Sequence, residues 1–133
     1  MIIEQVAEYK VACHLYNLDM ELYGISMEDL AERTPQGSKV IRKISGIVKK
    51  DSRFSWPGCA FSMEMQFFPD RVSLVFSERI DDFLYNLKQT AVIMETSQAR
   101  NLYEFIEEIE QLPEKEARKQ IQHFEEKVQR YEN

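Results

Sequence analysis

The hydrophobic period of this 133-residue chain changes from two to about 3.6 at Arg79, and that switch limits the fold more than any other feature. Before it, residues 59–67 alternate strictly: Cys59, Phe61, Met63, Met65 and Phe67 on one face, Ser62, Glu64 and Gln66 on the other. Pro69-Asp70 marks a turn, and residues 72–77 alternate again with Val72, Leu74 and Phe76 inward. Two such runs across a short polar turn predict a β-hairpin. After Arg79 the spacing is helical. A helix opening at Asp81-Asp82 aligns Phe83, Leu84, Leu87, Ala91 and Met94, and Thr96-Ser97 offers a break and a new cap. The next helix aligns Leu102, Phe105, Ile106, Ile109 and Leu112 until Pro113 ends it. The last carries Ala117, Ile121, Phe124, Val128 and Tyr131, spaced as the a and d positions of a heptad. So narrow a seam must bury itself, either on the preceding helix as an αα-hairpin or against a second chain.

The N-terminal part mixes both periods. Residues 2–6 and 9–16 read as strands joined at Ala7-Glu8, with Tyr9, Val11, Cys13 and Leu15 on one face of the second. A helical corner follows over 17–33. Asn17 caps a short helix whose positive end suits Asp19 and Glu21, and Gly24 supplies a left-handed stop. Ser26 caps a second helix, with Asp29 three residues on in an Asp version of the capping box. Thr34-Pro35-Gln36-Gly37 predicts a loop. From Ser38, Val40, Ile41, Ile44, Ile47 and Val48 form one helical stripe, weakened at Gly46 by about 1 kcal/mol relative to Ala. Residues 51–58 read as a loop ending in Trp56-Pro57-Gly58. The order ββ–αα–ββ predicts an α+β fold: a four-stranded antiparallel sheet with helices on one face, followed by a C-terminal helical segment. The expected boundary is an α+β domain over 1–80 and a helical extension over 81–133.

Charge follows the same division. Residues 1–80 hold ten Lys/Arg against eleven Asp/Glu, whereas 81–133 hold seven against twelve, so the acidic excess lies in the helical part. That balance disfavours binding to nucleic acid or anionic lipid. No apolar run is long enough for a membrane helix, and Met-Ile-Ile-Glu-Gln has neither a basic n-region nor an apolar h-region. A cytoplasmic protein is expected, with Cys13 and Cys59 as buried, reduced thiols outside any metal-type spacing.

Catalytic signatures are missing. His14 and His123 stand in no zinc-like spacing, and GxSxG, HExxH, Walker A and GxGxxG do not occur. The Glu-rich stretch 104–116 lacks the alternating ligands and the Gly of an EF-hand loop. The chain is therefore expected to be no enzyme and to hold no cofactor or metal. Two surfaces remain as binding candidates. One helix face carries Lys39, Arg42, Lys43, Lys49, Lys50 and Arg53, which suits either plain solvation or an acidic protein partner. Aromatic residues Phe54, Trp56, Phe67 and Phe68 bracket one strand, either closing the sheet over its core or anchoring an interface. Phe68 is the one expected to be exposed, since Phe67 takes the inward parity. The candidate protein-binding residues are Phe54, Trp56, Phe68, Arg42 and Lys43.

One resemblance goes further. The opening Met-Ile-Ile-Glu-Gln-Val strand, the strand ending Leu15-Tyr16-Asn17 and the corner Leu22-Tyr23-Gly24-Ile25-Ser26-Met27-Glu28-Asp29-Leu30 resemble the N-terminal domain of MecA-type adaptor proteins. The helix near 38–50, the Phe54-Ser55-Trp56-Pro57-Gly58 approach and the two following strands continue the likeness to about residue 80. In that family the N-terminal domain recognises a substrate protein and a separate C-terminal α/β domain docks on a Clp-family unfoldase. Residues 81–133 depart from that plan, because their patterns are helical throughout. The resemblance implies a non-enzymatic, adaptor-like module that recognises a target protein for presentation to a Clp-type AAA+ unfoldase. The alternative is a homodimeric regulatory or scaffold protein, assembled through the seam of Ala117, Ile121, Phe124, Val128 and Tyr131.

Overall fold

Period-two segments become strands and 3.6-period segments become helices in a computed structural model that describes residues 1–58 and 62–132, with side-chain surroundings to residue 126. Strands β1 (Ile2–Ala7) and β2 (Lys10–Tyr16) form an antiparallel pair with Ile3 opposite Cys13 and Ile2 opposite His14. Their turn is Glu8-Tyr9, because Ala7 pairs with Lys10. Tyr9 therefore leaves the inward face expected for it and takes a left-handed φ of 58°. Hairpin loops commonly place one residue in the left-handed region, and Tyr9 fills that place here without being glycine. The register slips between Gln5 and Ala7, a bulge at the edge of the sheet.

The corner that follows is fixed by side chains. Helix α1 (Asn17–Tyr23) is capped from Tyr16 rather than Asn17, with the Asp19 carboxylate accepting the Tyr16 N–H at 2.9 Å. Gly24, at φ 68°, ends it. Ser26 caps α2 (Met27–Ala31): its N–H donates to Asp29 Oδ2 at 2.9 Å and its Oγ accepts the Asp29 N–H at 3.2 Å. Residues 34–37 are no loop. Thr34 caps α3 (Pro35–Lys50), with Pro35 at its first position, where a missing N–H costs nothing. Gly37 lies in the first turn of α3, against the backbone of α2.

Strands β3 (Ser62–Phe68) and β4 (Arg71–Ser77) complete a four-stranded antiparallel sheet of order β1-β2-β4-β3. This α+β architecture is the one expected. Central β4 is buried on both sides: Val72, Leu74 and Phe76, but also Ser73 and Val75. Edge strand β3 keeps Met63 and Met65 only half-buried. Cys59 and Phe61, expected at its start, lie outside the described residues.

Two compact units divide the chain: Met1–Trp56 with Met63–Phe76, and Pro57–Ser62 with Ser77–Asn133. The core of the first takes Val11, Cys13 and Leu15 from β2, Val72, Leu74 and Phe76 from β4, and Met20, Leu30, Val40, Ile44 and Val48 from the helices. The second is built on α4 (Ile80–Val92), α5 (Thr96–Gln111) and α6 (Glu114–Glu132). Phe83, Leu84, Ala91, Leu102, Ile106, Ile109, Ala117 and Ile121 form its core, and Phe124 packs against it, stacked on Phe105 at 4.7 Å. The first part of the heptad seam is thus buried within one chain. The side chains of Val128 and Tyr131 lie outside the described region. Arg118 braces α6 by donating to the Glu78 carbonyl at 2.9 Å and to Glu114 Oε1 at 3.1 Å. Among the described residues, no helix is long and apolar enough to cross a membrane.

Candidate functional site

Nucleophilic chemistry is the first possibility to weigh, because strand order assembles a chain of groups that the sequence scatters. His14 on β2 bonds Ser73 Oγ on β4 through Nδ1 at 2.7 Å and Glu4 Oε1 on β1 through Nε2 at 2.8 Å. The connectivity is that of a Ser-His-acid triad, but the burial is reversed. Ser73 is 1% exposed, while the Glu4 side chain is 56% exposed. A nucleophile must reach its substrate, and the acid that orients the imidazole works best buried. The arrangement instead ties three neighbouring strands together and satisfies a buried hydroxyl. Cys13 is closed off in the same way, since burial pushes its thiol up to about 12 and leaves it protonated at neutral pH. No group of three or more potential metal ligands occurs among the described residues.

The aromatic candidates are placed differently from one another. Trp56 is half-buried, and its Nε1–H donates to the Val48 carbonyl at 3.4 Å near the end of α3. Phe54 is half-buried, with the Arg53 guanidinium 5.1 Å from its ring centre. The Phe67 and Phe68 exposures reverse the expectation. Phe67 is 45% exposed, because the inward parity of an edge strand runs past the core at its end. Phe68 is half-buried beneath Arg71, whose guanidinium stands 4.2 Å from the ring centre. All four belong to the α+β unit.

The basic face of α3 is real but uneven. Arg53, expected on that face, instead lies beyond the end of α3 and forks onto Asp51 at 2.7 Å, so its charge is locally balanced. The same contacts hold the Asp51 carboxyl below its usual range. Lys39, Arg42 and Lys43 are exposed, and Lys43 Nζ lies 5.6 Å from the centre of the Tyr23 ring. Tyr23, Pro35, Gln36, Lys39, Val40 and Lys43 line a groove of about 450 Å³ between α1 and α3. Leu18 and Leu22, 66% and 79% exposed, form an apolar ridge on α1 one turn apart. Neither was singled out as a contact residue from sequence. Their signal was there: they lie opposite Met20, the buried position of the same short helix.

Comparison with known families decides the relationship. A family model described as "Negative regulator of genetic competence (MecA)" matches residues 1–133. The chain belongs to the MecA family. The match runs through the helical unit, past the end of the likeness at residue 80. Among solved structures, one described as the substrate binding domain of MecA is similar, with 15% identity and a TM-score of 0.46. It aligns with 61% of this MecA-family chain and 94% of its own length. No curated protein matches the sequence.

Proposed function

We propose that this MecA-family chain is a non-enzymatic, cytoplasmic adaptor that recognises a target protein and presents it to a Clp-type AAA+ unfoldase. The observation that carries this assignment is the family match over residues 1–133. An adaptor needs one surface for its target and another for the machine. The two compact units of the chain suit that requirement, and so does the contrast between a near-neutral residue 1–80 segment and an acidic 81–133 segment. In this account residues 1–80 recognise the target and the helical extension over 81–133 docks on the unfoldase. Phe54, Trp56 and Phe68, with Arg42 and Lys43, are the proposed target contacts. Exposed Phe67 joins them on structural grounds. Aromatic and arginine side chains are the commonest anchors of protein interfaces, and a basic rim steers an acidic partner.

The test is co-elution of the purified chain with the Clp-type unfoldase of its own organism in the presence of ATP. A stable complex that a chain truncated after residue 80 fails to form is the expected result. Separate elution of the full chain would remove the unfoldase from the account.

A further inference from the structure

We infer that the groove between α1 and α3 is a docking site for an acidic segment of a partner protein that carries a bulky apolar side chain. This rests on the adaptor assignment above and specifies the chemistry of the target segment. Val40 is a buried part of the groove lining, and half-buried Tyr23 and exposed Pro35 add apolar surface. The charges lining it are both positive: Lys39 and Lys43, one turn apart on α3, with Arg42 adjacent on the same helix. None of these three makes an ion pair among the described residues. Two carboxylates of α1 and α2 are otherwise engaged. Asp29 accepts from the Ser26 N–H and from Thr34 Oγ1 at 3.0 Å, and Asp19 binds the N-terminal ammonium at 2.6 Å. Glu21, Glu28 and Glu32 are exposed and do not line the groove.

An apolar cleft rimmed by uncompensated ammonium groups selects its occupant by complementarity. An acidic segment cancels the lysine charges, while one large side chain fills the space above Val40. Leu18 and Leu22 extend the apolar surface along α1, starting one residue from Tyr23. The Gln36 amide donates to the Gly24 carbonyl at 2.9 Å, holding the start of α3 against the end of α1, so this part of the rim is preformed. Nucleic acid fits less well, because the whole chain carries a net charge of −6.

The test is fluorescence anisotropy of a labelled peptide, Glu-Glu-Leu-Phe-Glu-Glu, titrated with the full chain. Binding is expected to saturate, to weaken as salt is raised, and to fall about tenfold or more in Lys39→Glu/Lys43→Glu. Leu18→Ser/Leu22→Ser is expected to weaken it while leaving the salt dependence intact. Folding of each variant is checked by the urea transition of Trp56 fluorescence, and Lys39→Gln/Lys43→Gln, a milder change, should bind with intermediate strength. Absence of binding, equal binding by the charge-reversed chain, or equal binding of the Lys-for-Glu peptide would overturn the proposal. Displacement of the peptide by a single-stranded oligonucleotide would overturn it in favour of nucleic acid. A drop in solution mass on charge reversal would instead assign the groove to a second copy of the chain. Co-elution with the unfoldase is scored separately, so a failed peptide titration removes the groove without removing the adaptor.

Discussion

Two glycines in one helix should respond to the same substitution with opposite signs. Gly37 and Gly46 both lie in α3. An alanine Cβ at position 37 would stand 2.2 Å from the Asp29 carbonyl oxygen and 2.7 Å from its carbon. Those are backbone atoms at the heart of the α2–α3 corner, so no rotamer change relieves the overlap. Relief requires the helices to part, straining the Thr34 N–H bond to that same Asp29 oxygen, now 3.1 Å, and the Gly37 N–H bond to Thr34 Oγ1. Overpacking of this kind costs about 1–3 kcal/mol, and a weakened hydrogen bond adds about 1 kcal/mol. Set against a helix-propensity gain of at most about 1 kcal/mol, Gly37→Ala should destabilise the α+β unit by about 2 kcal/mol. Gly46 has nothing within 4 Å of its would-be Cβ, so Gly46→Ala should stabilise by about 0.5–1 kcal/mol. The single tryptophan, Trp56, belongs to the same unit and contacts α3, so urea unfolding followed by its fluorescence reads both effects. With a urea m-value of about 2 kcal/mol/M, the midpoints should move about 1 M down and a few tenths up. Gly37→Ala with an unchanged or raised midpoint would refute the close approach of α3 to α2.

Other outcomes follow from the same structure. Arg118→Ala removes the donor to the carbonyl of buried Glu78, in the segment leading into α4, and should lower the stability of the helical unit by about 1–3 kcal/mol, read by circular dichroism on heating. Asp29 is held below the usual carboxyl range chiefly by the Ser26 N–H and Asp19 chiefly by the N-terminal ammonium, so each adds stability at neutral pH that is lost as pH falls through its folded value. Asp29→Asn should therefore flatten the acid limb of the urea-midpoint profile below about pH 4. Cys13 should resist a thiol reagent in the native state of a Cys59→Ser background and react once urea unfolds the chain. Phe124→Ala should cost about 2 kcal/mol through its lost stacking on Phe105 and edge contact with Phe83.

What could be read from the chain was what neighbouring residues decide among themselves. The Ser26–Asp29 box, the Gly24 stop and the apolar stripes of α3, α4 and α5 are local, and they occur where spacing placed them, except that Ile47 of the α3 stripe is exposed. Thr34-Pro35-Gln36-Gly37 misled because the same residues serve loops and helix starts; only the packing of α2 on α3 separates the two. Tyr9 was misplaced because hairpin register hangs on a turn whose left-handed residue is not glycine. Strand order was the larger gap. Nothing in the alternation of β4 says that it is central, so the burial of Ser73 and Val75, and the link from Ser73 through His14 to Glu4, were hidden. The exposures of Phe67 and Phe68 depend likewise on β3 being an edge and on where Arg71 folds back.

The central claim is that one chain both holds a target and engages an unfoldase, and ATP turnover tests it most directly. Purified chain added to its own organism's Clp-type unfoldase should raise the rate of ATP hydrolysis, and truncation after residue 80 should abolish the increase. An unchanged rate with the full chain, at concentrations where both proteins are intact and folded, would contradict the account and leave a target-binding protein outside regulated proteolysis.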